Sequence, residues 1–273
     1  ISHFETLPLE FIEKYIDKPW DWEGITVNKN LTIDFVDKYN DKNWYWPYFS
    51  ESLNLINYYS LNLIFNINMD FIEKYIDKGW DWYALSSHPK KINLEFIEKH
   101  IDKPWDWEAI SRLFKPPPSF IERHIIKPWD WEQLSSNSNI TLDFVIKYSD
   151  KPWDWAKLCC NGEAFTLEII ENNYDDLPFT DSGISSNPNI TIKFIENNPN
   201  IEWDWQELSL NPAITIEIIN KYYEKPWDWE YISINPKMTL DVIDDNIDNP
   251  WDWGALSRRY DLTIEFITKY IDK

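Results

Sequence analysis

Eight aspartates recur between tryptophans: Asp21, Asp81, Asp106, Asp130, Asp154, Asp204, Asp228 and Asp252. A row of carboxylates at fixed spacing is a candidate for divalent ions or a basic protein surface. The flanking indoles are candidates for stacking on sugars, cations or a peptide. Each reading has a structural competitor. A carboxylate in the first turn of a helix satisfies orphan amide donors. Packed helices lie about 10 Å apart, so carboxylates on neighbouring helices cannot share one ion at ligand distances of about 2.4 Å. Residues two apart on a helix point about 200° apart, so one indole of each pair is expected to face its own unit and the other the next. Helix capping and packing are therefore the stronger expectations, and the eight aspartates stand as a candidate interaction ladder.

The elements that must position them are repeats. All 18 tryptophans fall in Trp-x-Trp pairs, five of them within the word Lys-Pro-Trp-Asp-Trp, as at Lys18 to Trp22 and Lys151 to Trp155. The steps Trp20 to Trp44, Trp105 to Trp129 and Trp203 to Trp227 are each 24 residues. A fixed period means a stack of small units, and counting domains by length does not apply. Each unit opens on a cap residue: Pro8, Thr32, Ser52, Asn68, Asn93, Pro117, Thr141, Thr166, Thr191, Thr215, Thr239 or Thr263. An acid follows most of the threonines two residues later, suiting the positive helix end, with Lys193 the exception. Apolar residues flank the cap at hydrophobic-staple spacing, as Leu31 with Val36. This first helix of the unit is helix A.

Helix B is expected to start at Lys-Pro, with the proline at the first helical position and the aspartate at the third, its carboxylate reaching back to the amides near the preceding Lys or Asp. It is expected to end at Leu-Ser-x-Asn-Pro, with asparagine in the left-handed conformation. The prediction is an all-α solenoid of about twelve helix-turn-helix repeats of about 24 residues, one elongated domain over residues 1–273, with an irregular unit at 43–67. Most tryptophans should be buried, with Trp22, Trp107, Trp131 and Trp155 touching the next unit's helix A. Both ends read as cut, so the chain is expected to be a segment of a longer protein.

Composition excludes several functions. A net charge of −21, spread along the chain, offers no basic stripe for phosphates and permits a basic protein partner. No apolar run of about 18 residues suggests a membrane span, and no signal-peptide pattern opens the chain. Cys159 and Cys160 are adjacent, which disfavours a disulfide and points to a reducing compartment. The histidines show no metal-ligand spacing. No phosphate loop, nucleophile elbow or cofactor motif is present, so no catalysis, cofactor or metal is expected.

The words Lys-Pro-Trp-Asp-Trp, Leu-Ser-x-Asn-Pro and Ile-Thr-x-Glu-Phe-Ile resemble repeat proteins encoded by giant DNA viruses of amoebae, over nearly the whole chain except Asn43 to Ile67. The resemblance implies the host cytoplasm or the virus particle as the location and supplies no activity or site residue. The expected function is a non-enzymatic scaffold or adaptor that binds another protein. A structural component of the virus particle and an aromatic glycan-binding module are the alternatives.

Overall fold

The structure, a computed structural model, describes residues 6–51 and 67–271, and within them 21 helices and no strand. The helices alternate between two kinds, as the repeat requires. Helix A is represented by segments such as Leu9–Lys14, Ile33–Lys38, Leu94–Lys99 and Ile216–Lys221, and helix B by Trp22–Ile25, Trp107–Leu113, Trp205–Leu210 and Trp229–Ile234. The chain divides into two compact units, residues 1–116 with 120–130 and residues 117–119 with 131–273. Each unit is a stack of helix pairs, the architecture of an all-α repeat solenoid. Ser52 and most of the region 43–67 lie outside the described residues.

Six-residue helices are too short to be stable alone, so their ends must be held. The hydroxyls of Thr32, Thr141, Thr191 and Thr263 accept from the amides of Phe35, Phe144, Phe194 and Phe266, and Asn68 and Asn93 cap in the same way. Thr215 begins its helix without a side-chain cap. The two residues that follow on the inner face, Phe35 with Val36, Phe96 with Ile97 and Phe144 with Val145, are buried together with the staple residues Leu31, Ile92 and Ile140. A wide apolar arc on so short a helix is the mark of contact on two sides.

Two expectations about helix B need correction. It begins at the second tryptophan, one residue after the aspartate: the observed helix is Trp155–Cys160, and the aspartate is the N-cap with φ near −80° to −90° in most copies. The proline lies outside the helix. Its carboxylate neighbour therefore accepts from amides ahead of it and not from those behind. The asparagine after helix B is not left-handed either. Asn211 and Asn235 have φ of −68° and −62°, and Lys115 is the only non-glycine residue with positive φ among the described ones. A buried side-chain role, described below, selects asparagine there.

In the second unit, the B helices Trp155–Cys160 and Asp181–Ser185 pack tightly at Gly183. A Cβ built there would meet the carbonyl of Ala156 at 2.8 Å and its Cα at 2.9 Å. Gly183→Ala should therefore force Trp155–Cys160 and Asp181–Ser185 apart, at a cost of about 1–3 kcal/mol, read as a lower urea midpoint. An unchanged midpoint would remove the claim that this contact is tight.

Candidate interaction ladder

The tryptophans are placed by the junctions between repeats. Eleven are buried, seven half-buried and none exposed. The first indole of each pair turns back on its own helix A: the Nε1–H of Trp20, Trp44, Trp80 and Trp105 donates to the carbonyls of Tyr15, Tyr39, Tyr75 and His100 at 2.8–2.9 Å. The second indole goes to the following repeat. It meets the next first indole edge to face, Trp82 with Trp105 at 4.9 Å, Trp107 with Trp129 at 4.8 Å, and Trp205 with Trp227 at 4.9 Å between ring centres. Trp22 and Trp131 also touch aromatic residues of the next helix A or its C-cap, Tyr39 and Phe144, as expected. Trp155 meets Phe179 instead, where the motif reads Leu-Pro-Phe-Thr-Asp.

The motif lysine completes the enclosure. Lys103, Lys127, Lys151 and Lys225 lie 5.4–5.9 Å from the ring centres of Trp82, Trp107, Trp131 and Trp205 of the preceding repeat, a cation–π position. Sequence reasoning did not find this link, because lysine and ring are about 20 residues apart and nothing local pairs them.

The aspartates are occupied at both ends. Asp21, Asp81, Asp154 and Asp252 accept from the amides of Gly24, Ala84, Lys157 and Ala255, while Asp106, Asp204 and Asp228 each accept from two amides. The backbone N–H of Asp81, Asp106, Asp130, Asp154, Asp204, Asp228 and Asp252 donates to a serine of the preceding repeat, Ser50, Ser86, Ser111, Ser135, Ser185, Ser209 and Ser233, at 2.9–3.1 Å. At Asp154, burial would raise the carboxyl pKa, but the amide and ammonium of Lys157 outweigh it and hold it below the ordinary value. Among the described residues no three His, Cys, Asp or Glu side chains come together as a metal site.

Two further ladders had no clear signal in the sequence. Buried asparagines bridge repeats: Asn211 Nδ2 donates to the carbonyls of Ser185 and Asn187, and Asn235 Nδ2 to that of Asn211, each Oδ1 accepting from the amide two residues on. Along helix A, an acid accepts from a cation and an aromatic residue one repeat later. Glu13 takes Lys38 and Tyr39, Asp37 takes Lys74 and Tyr75, Glu73 takes Lys99 and His100, Glu98 takes Arg123 and His124, and Asp244 takes Lys269 and Tyr270. Lys99, and then His100, hold the Glu73 carboxyl below its usual value, and Arg123 does the same for Glu98. These clamps are well exposed, so each contributes little alone. They set register more than stability.

His88 occupies the ladder position of asparagine, and its buried Nε2 has no hydrogen-bond partner among the described residues. Burial, and then the charge of Lys91, push its pKa below 6.5. The unfolded chain therefore takes up a proton more readily than the folded one, and stability falls as pH drops from 6.5 toward the lowered folded value. His88→Asn should flatten the thermal midpoint against pH between about 7 and 5 relative to wild type. Parallel profiles would show that His88 does not titrate in this way.

The arrangement defines a class: an all-α repeat protein whose motif residues are committed to repeat junctions. No protein-family model, curated protein or solved structure matches the chain. No helix of the described residues is long and apolar enough to cross a membrane.

Proposed function

We propose that the protein is a non-enzymatic scaffold that binds another protein through its acidic outer surface. The observation that carries this reading is the division between inner and outer side chains. The indoles and motif aspartates are used within and between repeats, while Glu10, Asp102, Glu132, Glu168, Glu217 and Asp248 stand exposed on a chain of charge −21. An acidic surface on which no described tryptophan is exposed fits a basic partner better than a glycan, which would need indoles open to stack on it. On the strength of the repeat resemblance alone, we set this role in an infected host cell or a virus particle.

The test is capture of partners from infected or host cells at low and high salt, identified by mass spectrometry. Specific partners should be basic and lost as salt rises, because exposed charges are screened over about 8 Å at physiological ionic strength. Recovery of no protein at either salt, with tight binding to a polysaccharide array, would replace the scaffold reading with the glycan one.

A further inference from the structure

One junction in the second unit departs from the repeat word in five of its six places. Where the repeat carries Tyr-Ile-Asp-Lys-Pro-Trp, as at Tyr15 to Trp20, the chain reads Asn198-Pro199-Asn200-Ile201-Glu202-Trp203. The loss of the lysine has a local cause. The motif lysine lies over the second tryptophan of the preceding repeat, but in that repeat Asp181 stands in the tryptophan's place. Ile201 is instead buried at 4% exposure. The proline-to-glutamate exchange has no such explanation inside the fold, since the Glu202 carboxylate forms no hydrogen bond or ion pair with the described residues.

The same junction is open. A groove of about 510 Å3 runs between the repeat of Ile192–Asn197 and that of Ile216–Lys221, walled by Trp203, Trp205, Tyr222 and Pro199 with Glu202 at its edge. The clamp across it is incomplete. Glu196 takes Lys221 alone, and the Tyr222 hydroxyl, whose counterparts Tyr39 and Tyr75 reach the acid, makes no bond to it. Trp203 is half-buried where Trp105 and Trp227 are buried. The one cation lining the groove, Lys225, lies over the Trp205 ring, and Lys221 nearby is paired with Glu196 and lies 6.0 Å from the Tyr222 ring centre. Glu202 is the carboxylate left without a cation.

We infer that this groove receives one arginine or lysine side chain of the basic partner, the aliphatic stem lying on Trp203 and Tyr222 and the charged head meeting Glu202. The inference rests on the scaffold reading and names its anchoring site. A groove of this size suits a single side chain with flanking backbone, and an aromatic wall with one free carboxylate selects a cation that has an apolar stem. The free Tyr222 hydroxyl supplies an acceptor for the same head group.

The probe is a seven-residue Gly/Ser peptide with a single central arginine, and its isosteric neutral counterpart with citrulline. Binding to the whole chain is followed by NMR of the indole N–H signals, with those of Trp203 and Trp205 identified from Trp203→Phe and Trp205→Phe. The arginine peptide should move these two signals and the citrulline peptide should not. Glu202→Lys should weaken the arginine peptide by about tenfold or more, whereas Glu108→Lys, the same charge change in the first unit, should leave it within about twofold. Equal loss in both variants would mean diffuse charge attraction and would overturn the groove. So would the absence of any shift at Trp203 and Trp205. Salt-sensitive capture of a basic partner that survives Glu202→Lys would reject the groove while the scaffold stands, and a chain that captures no protein would remove the scaffold itself.

Discussion

Trp105→Ala should lower the unfolding free energy by about 3–5 kcal/mol, the range for emptying a buried aromatic site. Trp105 is 5% exposed, meets Trp82 at 4.9 Å with its ring nearly perpendicular, and lies 6.4 Å from Phe96. Its removal opens a void in its own repeat and leaves the Trp82 ring without its edge partner, so the loss extends over two repeats. Phenylalanine substitutions separate packing from hydrogen bonding. Trp105→Phe keeps a ring but abandons the His100 carbonyl, which the indole reaches at 2.8 Å. Trp107→Phe loses ring area alone, because the Trp107 N–H has no protein acceptor among the described residues. The first should therefore cost about 0.5–1.5 kcal/mol more than the second. Urea unfolding followed by far-ultraviolet circular dichroism gives both values, and a larger loss for Trp107→Phe would contradict the assigned roles.

Asn211→Asp should be at least as damaging near neutral pH, by about 3–5 kcal/mol, because it places an unpaired charge in the interior. Asn211 is 2% exposed and aims its Nδ2 at two carbonyls, each 2.8 Å away. Aspartate keeps the shape and can still accept from Ala213, but its second oxygen then faces two oxygens. Burial and those carbonyls both favour the protonated form, so the folded-state pKa is raised above the unfolded one. The penalty must then shrink as pH falls and the carboxyl gains the proton that lets it donate. Asn211→Ala leaves the same two carbonyls unpaired without adding charge, at about 1–3 kcal/mol for each group. The comparison at pH 7 and pH 5 is diagnostic: aspartate should recover part of its deficit relative to wild type and alanine should not.

What the sequence made legible was whatever repeats locally. The 24-residue period, the threonine caps and the burial of the indoles follow from spacing and residue type within a single unit, and Thr32, Phe35 and Trp44 are placed as their types demand. The misplacements arose where a local rule competed with a partner in another repeat. Proline at the first helical position and asparagine in the left-handed region are good local rules. Here the Asp106 amide is taken by Ser86 before the helix begins, and Asn211 answers to carbonyls 24 and 26 residues away. Links across 19 to 28 residues, such as Lys127 over Trp107, leave no mark that a single repeat can show. The repetition itself was the available signal, since the acid, cation and aromatic residue of helix A recur in one register in most copies.

One junction keeps its contacts across a longer stretch of chain than its neighbours do. At most other junctions the second tryptophan of one repeat and the first of the next are 22 or 23 residues apart, as Trp22 and Trp44, but Trp46 and Trp80 are separated by 34 and still meet at 5.3 Å. Ser50 takes the Asp81 amide as Ser86 takes that of Asp106, and Asp37 takes Lys74 and Tyr75 as Glu13 takes Lys38 and Tyr39. The junction reads side chains and not the contour of the chain between them. Register across this junction is thus carried by the interlocked rings, the serine–amide bond and the acid clamp, and not by the number of residues that join them.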